Sequence, residues 1–87
     1  MRYKISADVK HDLVDGGVIL LHMNSGNFYS LYDTGYYIWN LVCQGLEIKR
    51  IAEQLTEDYG IPLEQAAADM EGFLLEMVNE DIFEVIT

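Results

Sequence analysis

The sequence predicts an α+β fold that is winged helix-turn-helix-like, with a three-stranded antiparallel sheet followed by three helices. Two observations predict it: runs rich in β-branched and aromatic residues alternate with turn residues up to residue 32, and helical periodicity follows from residue 33. Strands first and helices afterwards are typical of α+β proteins. With 87 residues, 51% of them hydrophobic, the chain is expected to form a single domain over residues 1–87.

Each strand is bounded by turn residues. Asp15 and Gly16 are a strong hairpin signal, and the polar tetrad 24–27 supplies the next turn. The predicted strands cover residues 10–14, 17–23 and 27–32. Residues 1–9 are weakly patterned and predict an arm or a short extended segment. The third strand is the last of its sheet, so one of its edges is expected to carry unpaired N–H and C=O groups.

The helices are predicted from apolar stripes and end signals. The first begins near Asp33 and Thr34, either of which can cap its free N–H groups, and Gly45 is a natural residue to end it. The second ends at Gly60, and Pro62 fits the first turn of the third. The apolar stripe of the second helix is Ile48, Ile51, Ala52, Leu55 and Tyr59, and that of the third is Ala66, Met70, Phe73, Leu74 and Met77. The third stops around residues 79–81, and residues 82–86 form a short strand or an extended tail.

The charge of the chain excludes two classes of partner. Its formal net charge is −10, and no Lys or Arg occurs from Pro62 onward. The acidic residues of that region are Glu64, Asp69, Glu71, Glu76, Glu80, Asp81 and Glu84. Binding to nucleic acid or to an anionic membrane needs clustered cations, so neither is expected. A cationic partner would be attracted; the alternative is that the acidity only keeps a small protein soluble.

The sequence also lacks membrane and secretion signals. The longest uninterrupted aliphatic run is Val18 to Leu21, far short of the roughly 20 residues that a membrane span needs. The N-terminal segment has no apolar region of the kind found in signal peptides. The single cysteine, Cys43, cannot form an internal disulfide. Together these features predict a cytoplasmic protein.

No constellation in the sequence points to catalysis or to metal binding. His11, His22 and Cys43 have none of the spacings of known metal motifs. His22 is expected to be a half-buried strand residue, and Cys43 falls in the last turn of a helix among core residues. The carboxylates are typical of solvated helix faces, and no glycine-rich phosphate loop exists. The sequence therefore predicts no enzyme, no catalytic residue, no metal and no cofactor.

A free strand edge beside a helix predicts a groove for a peptide, which can add to the edge as a further strand. In the third strand, Tyr29 and Leu31 are expected to point to one face of the sheet, and Phe28 and Ser30 to the other. The pockets of the groove are expected from Met70, Phe73 and Met77, facing Phe28 and Tyr29. The alternative is that these side chains are ordinary core.

The order and spacing of several short motifs resemble the PqqD-like family. They are the run GNFYSLYDTGYYIWNLVCQG, a helix ending in YGIP, and the segment AADMEGFLLEMVNEDIFE. The residues at the family's pattern positions are Leu31, Thr34, Gly35, Ile38, Trp39, Asp69, Phe73, Leu74 and Met77. The resemblance covers about residues 15–85, and it is nearer to the small proteins of lasso-peptide biosynthesis than to the pyrroloquinoline quinone branch.

This resemblance implies a recognition element for ribosomally made precursor peptides. It implies that the leader segment of the precursor docks as an extra strand on the third strand, over the third helix. The partners implied are a leader peptidase and, with it, a cyclase of a lasso-peptide pathway. By position, the peptide-binding residues are Asn27, Phe28, Tyr29, Ser30, Leu31, Ala66, Asp69, Met70, Phe73 and Met77.

Three other functions stay open at this point. One is a pyrroloquinoline quinone-type peptide chaperone for a radical SAM enzyme, and another is a non-catalytic winged-helix regulatory module. The third is an accessory subunit that stabilises an enzyme without touching its substrate. A free edge also allows a homodimer that pairs strand to strand.

Overall fold

The computed structural model describes residues 2–86, and within them four strands precede three helices and a fifth strand follows. The elements are β1 (Tyr3–Ile5), β2 (Val9–Val14), β3 (Gly17–His22), β4 (Phe28–Tyr32), α1 (Asp33–Cys43), α2 (Ile48–Tyr59), α3 (Leu63–Asn79) and β5 (Phe83–Val85). The predicted α+β class, with a three-stranded antiparallel sheet followed by three helices, is confirmed. Met1 and Thr87, the ends of the predicted domain, lie outside the described residues.

The larger sheet has the antiparallel order β2-β3-β4. Along its central strand, Val18, Leu20 and His22 are buried on one face, as the alternation predicted. Helix α1 packs against β3 and β4, and α2 packs against α3, so the helices lie on this inner face. Leu31 brings β4 into the same core.

A second sheet, which the sequence did not predict, pairs β1 with β5. The pairing is antiparallel and places Ile5 opposite Phe83. Phe83 is 1% exposed, so β5 contributes to the core as well as to the sheet. The weakly patterned residues after Met1 and the C-terminal tail are therefore partners of each other. The sequence predicted an extended segment within residues 1–9 and a short strand or tail over residues 82–86, but three residues per strand are too few to show that the two pair.

The start of α1 differs from the prediction that Asp33 or Thr34 caps it. The N-cap position is Tyr32, and no side chain caps the helix. Strand β4 runs into α1 without a loop, and Asp33 makes the turn in the left-handed region at φ 53°. An Asp tolerates this conformation better than most residues. Gly60 ends α2 at φ 67°, as predicted.

Over residues 2–86 there is no helix with the length and apolarity that crossing a membrane requires.

Tyr37 is expected to make the fold sensitive to high pH. Its hydroxyl donates a hydrogen bond to the Asp58 carboxylate, and the Gln54 carbonyl oxygen lies 3.3 Å away. Burial, together with the Asp58 carboxylate, raises the pKa of Tyr37 from 10.0 to about 12. The unfolded chain therefore releases this proton at lower pH than the folded protein does. The stabilisation is fully present below pH 10.0 and is lost as the pH rises to about 12.

Thermal unfolding of the wild type and of Tyr37→Phe across this pH window tests the prediction. The wild type should lose more stability between pH 10.0 and about 12 than Tyr37→Phe does. Tyr36→Phe, which removes a hydroxyl from the neighbouring residue, is the control and should behave like the wild type. Equal losses in the wild type and Tyr37→Phe would contradict the assignment.

Candidate functional site

Strand β4 is an edge strand with open hydrogen-bonding groups. It pairs with β3 on one side, and among residues 2–86 no strand pairs with its other side. The His22 N–H donates to the Asn27 carbonyl at 3.0 Å, so these two residues form a hydrogen-bonded pair between the strands. Since paired residues alternate along an antiparallel ladder, Tyr29 and Leu31 bond toward β3. The N–H and C=O groups of Phe28 and Ser30 therefore point outward.

The side chains of β4 divide between the two faces of the sheet. Leu31 is 8% exposed and Tyr29 is half-buried, both on the inner face, as predicted. Phe28 lies on the outer face and is 69% exposed. A large aromatic side chain left this open next to unpaired backbone groups is typical of a binding surface.

Phe73 brings α3 up to the end of β4. Its ring lies 3.4 Å from the point where a Cβ on Gly35 would stand, and the Leu31 side chain lies beside the same point. On its other side, the ring meets that of Phe83 edge-on, with centroids 6.1 Å apart. The flank of α3 that carries Phe73 therefore faces the junction of β4 and α1.

Two polar contacts join the strands to the end of α3. The Tyr29 hydroxyl donates to the Glu80 carboxylate at 2.7 Å. This hydrogen bond raises the pKa of Tyr29, and desolvation and the Glu76 charge act in the same direction. His22 Nε2 lies 2.9 Å from the Asp81 carboxylate, while its Nδ1 accepts a hydrogen bond from the Ser25 N–H. The position of the α3 terminus relative to β4 is thus fixed by side chains.

The predicted peptide-binding residues fall into three groups by exposure. Those exposed are Asn27, Phe28, Ser30 and Asp69. Tyr29 and Phe73 are half-buried. Leu31, Ala66, Met70 and Met77 are buried in the core. The first two groups are accessible to a guest, whereas the third belongs to the hydrophobic core. The binding role of all ten stays a prediction.

One expectation about their arrangement is wrong. Phe28 does not face the methionines of α3, because it points to the outer face of the sheet. Met70 lines a cleft of about 490 Å³ on the opposite flank of α3, where Leu75 and Val85 are exposed. A stripe of apolar residues shows that a helix packs, but not which flank it turns toward a given strand.

Sequence reasoning missed two members of this region, Glu76 and Glu80. Both were grouped with the solvated acidic residues of the C-terminal part. The available signal was their spacing: they lie three and seven residues after Phe73, so they share its side of the helix. Glu80 follows the last residue of α3 and reaches Tyr29 of β4.

The residues considered for catalysis lie in different parts of the fold, and only His22, at the end of β3, is close to this edge. Cys43 is the last residue of α1, as predicted, but it is exposed, so the expectation that it packs in the core is wrong. Partial desolvation raises the pKa of its thiol. His22 is buried at 5% exposure and is bound to Asp81. His11 packs edge-on against Trp39, with ring centroids 5.1 Å apart. In the part of the chain that the structure describes, no group of three metal-ligating side chains comes together.

Comparison with known proteins identifies the family. The family of coenzyme PQQ synthesis protein D (PqqD) matches residues 17–82. TbiB1, solved in complex with the TbiA(beta) leader peptide, is 27% identical with a TM-score of 0.90, over 97% of this chain and 98% of that one. Lasso peptide synthetase B1, complexed with the leader peptide, has the same fold at 20% identity and a TM-score of 0.90, over 98% and 100%. No curated protein sequence matches. The chain belongs to the PqqD family.

Proposed function

We propose that this protein binds the leader segment of a ribosomally synthesised precursor peptide by adding it as a strand to β4. The observation that carries the proposal is the open edge: the outward N–H and C=O groups of Phe28 and Ser30 match the hydrogen bonding of an incoming strand. Phe28 on the outer face, and Tyr29 with Phe73 on the inner side, are available to side chains of the guest.

The similarity to TbiB1 supports this assignment. That protein was solved with a leader peptide, and the likeness extends over 97% of this chain at 27% identity. Backbone pairing supplies affinity without sequence selectivity, because any extended peptide can make it. Selectivity therefore rests on the side-chain contacts around the edge.

The role proposed is recruitment without chemistry. The bound leader delivers the attached core segment to a leader peptidase and a cyclase of a lasso-peptide pathway in the cytoplasm. Ordering a disordered leader costs about 2–5 kcal/mol, so a net affinity near micromolar, about −8 kcal/mol, is expected. An enzyme that touches the same protein then meets the precursor at an effective concentration of around millimolar.

Replacing Ser30 with proline tests strand addition. The outward N–H of Ser30 does not bond to β3, so its loss leaves the sheet intact, and edge strands accept proline. The guest would lose one donor and keep an unsatisfied carbonyl group. We expect about tenfold weaker binding. Calorimetric titration with a synthetic leader of the precursor encoded beside this gene measures it.

The matched control is Ser30→Ala, which keeps the N–H and removes only the hydroxyl. Its affinity should stay within about twofold of the wild type. Thermal unfolding must show that both variants are folded. A folded Ser30→Pro protein that binds the leader with wild-type affinity would rule out β4 as the docking strand.

The match to the PqqD family favours a second candidate, a peptide chaperone for a radical SAM enzyme. The two candidates share the edge and differ in the enzyme that receives the peptide. Pull-down with the full chain separates them: retention of a leader peptidase or cyclase favours the first, and retention of a radical SAM enzyme favours the second.

A further inference from the structure

A row of carboxylates borders the open edge of β4. We call Asp69, Glu76 and Glu80 the acidic row; all three are exposed, and they lie along α3 and at its C-cap. Successive residues of a helix are rotated by about 100° around its axis. Viewed down α3, each of the three therefore lies within roughly 60° of Phe73, on the side away from the cleft that Met70 lines. The hydrogen bond from Tyr29 to Glu80 confirms that this side reaches β4.

Among residues 2–86, the acidic row has no Lys or Arg as an ion-pair partner. The cations of the chain are Arg2, Lys4, Lys10, Lys49 and Arg50. They lie near or in β1, β2 and α2, where Lys4 pairs with Glu84, and Arg50 with Glu53 and Glu57. Across residues 2–86, no Lys or Arg comes within ion-pair distance of the acidic row. Its negative field is therefore directed at whatever occupies the edge.

We propose that the peptide bound at β4 is cationic, with Lys or Arg side chains at alternating positions that face the acidic row. This inference rests on the proposed function and specifies its ligand. The spacing fits: Glu76 and Glu80 are separated by a rise of about 6 Å along the helix, and alternate residues of a strand are about 7 Å apart. Asp69 lies a further rise of about 10 Å along the same flank.

Charge also decides against a second copy as the occupant. Two chains that paired through β4 would each bring a net charge of −10 and an acidic row toward the other. Like charges placed together across an interface oppose association and slow encounter. A cationic segment has the opposite effect, since the field speeds its approach and selects it among extended peptides.

Selection from a library of short random peptides, displayed on phage, tests this with the immobilised full chain. Three baits are used: the wild type, Ser30→Pro, and a triple variant with Asp69→Asn, Glu76→Gln and Glu80→Gln. The amide of Glu80→Gln still accepts the Tyr29 hydrogen bond. A matched triple variant with Asp12→Asn, Glu64→Gln and Glu71→Gln removes the same charge from exposed positions elsewhere.

We expect the wild type to enrich peptides with Lys or Arg at alternating positions. When resynthesised, these should bind the acidic-row variant about tenfold more weakly, because three exposed ion pairs are lost. The matched variant should keep its affinity within about twofold. The tenfold difference should shrink toward one between about 0.1 M and about 1 M salt, as screening removes the ion pairs.

The other outcomes separate the two proposals. If the selected peptides bind the wild type more tightly than Ser30→Pro but are not enriched in Lys or Arg, the proposal of a cationic ligand is wrong and strand addition is still supported. If the wild type enriches no peptides beyond those that Ser30→Pro enriches, strand addition itself is wrong. Cationic peptides that bind the wild type and Ser30→Pro equally would overturn the cationic ligand at the edge, because the charge would then act elsewhere. Concentration-dependent dimers of the wild type that Ser30→Pro abolishes would assign the edge to a second copy.

Discussion

Replacing Gly17 with alanine is expected to lower the free energy of unfolding by about 3 kcal/mol. A Cβ at this position would overlap the Leu31 carbonyl oxygen and would stand 2.5 Å from Cδ1 of the Tyr32 ring. The oxygen belongs to the backbone of β4, which the β3 ladder holds in register. The overlap therefore cannot be relieved by rotating a side chain, and the pairing that presents the edge must shift.

Urea unfolding followed by the fluorescence of Trp39, which is 4% exposed, measures this effect. Gly72→Ala is the control, because a Cβ there meets open space within a helix. It should stabilise the protein by about 0.5–1 kcal/mol. Ordinary substitutions change the free energy of unfolding by about 1 kcal/mol. If Gly17→Ala lowers it by no more than that, β3 and β4 can move apart enough to accept the Cβ, and the prediction is wrong.

Replacing Phe73 with alanine is expected to cost about 3 kcal/mol of stability and to weaken leader binding. The ring fills the space between Gly35, Leu31 and Phe83, so truncation leaves a void where β4, α1 and α3 meet. If the leader packs on this ring, as proposed, the binding loss should exceed what partial unfolding explains. Binding is therefore measured where the variant is folded, as established by urea titration.

Two further variants separate packing from recognition. Phe73→Leu keeps most of the apolar volume and should recover more than half of the lost stability. Leu75→Ala truncates a residue of α3 that is 61% exposed, and it should change stability by less than about 0.5 kcal/mol. If Phe73→Ala matches the wild type in both stability and binding, Phe73 is neither core nor groove wall.

The fold was predictable where the signals are local. Asp15 and Gly16 mark one turn, Gly60 ends α2, and the alternation in β3 assigns its buried face. The β1–β5 pair was not predictable, because its two strands lie at opposite ends of the chain and are short. The Asp33 turn was missed for a different reason: capping and a left-handed turn favour the same residue type.

The candidate site was predictable in part. The free edge of β4 follows from the order of strands, and the alternation correctly separated Phe28 and Ser30 from Tyr29 and Leu31, although Phe28 was wrongly expected to face the methionines of α3. The position of α3 was not, because a helix with a wide apolar stripe can turn either flank toward the sheet. Met70 and Met77 therefore proved to be core, and Glu80, which was not predicted to take part, reaches Tyr29 of β4.

The pairing of β1 with β5 also makes the chain suitable for circular permutation. The Ile86 N–H donates to the Arg2 carbonyl at 2.9 Å, so the two ends of the described chain lie side by side. A short linker could join them, and new termini could be opened at the exposed turn around Gly45. Such a circular permutant would keep β3, β4 and α3 continuous, and it would offer attachment points for a fused enzyme at the end of α1.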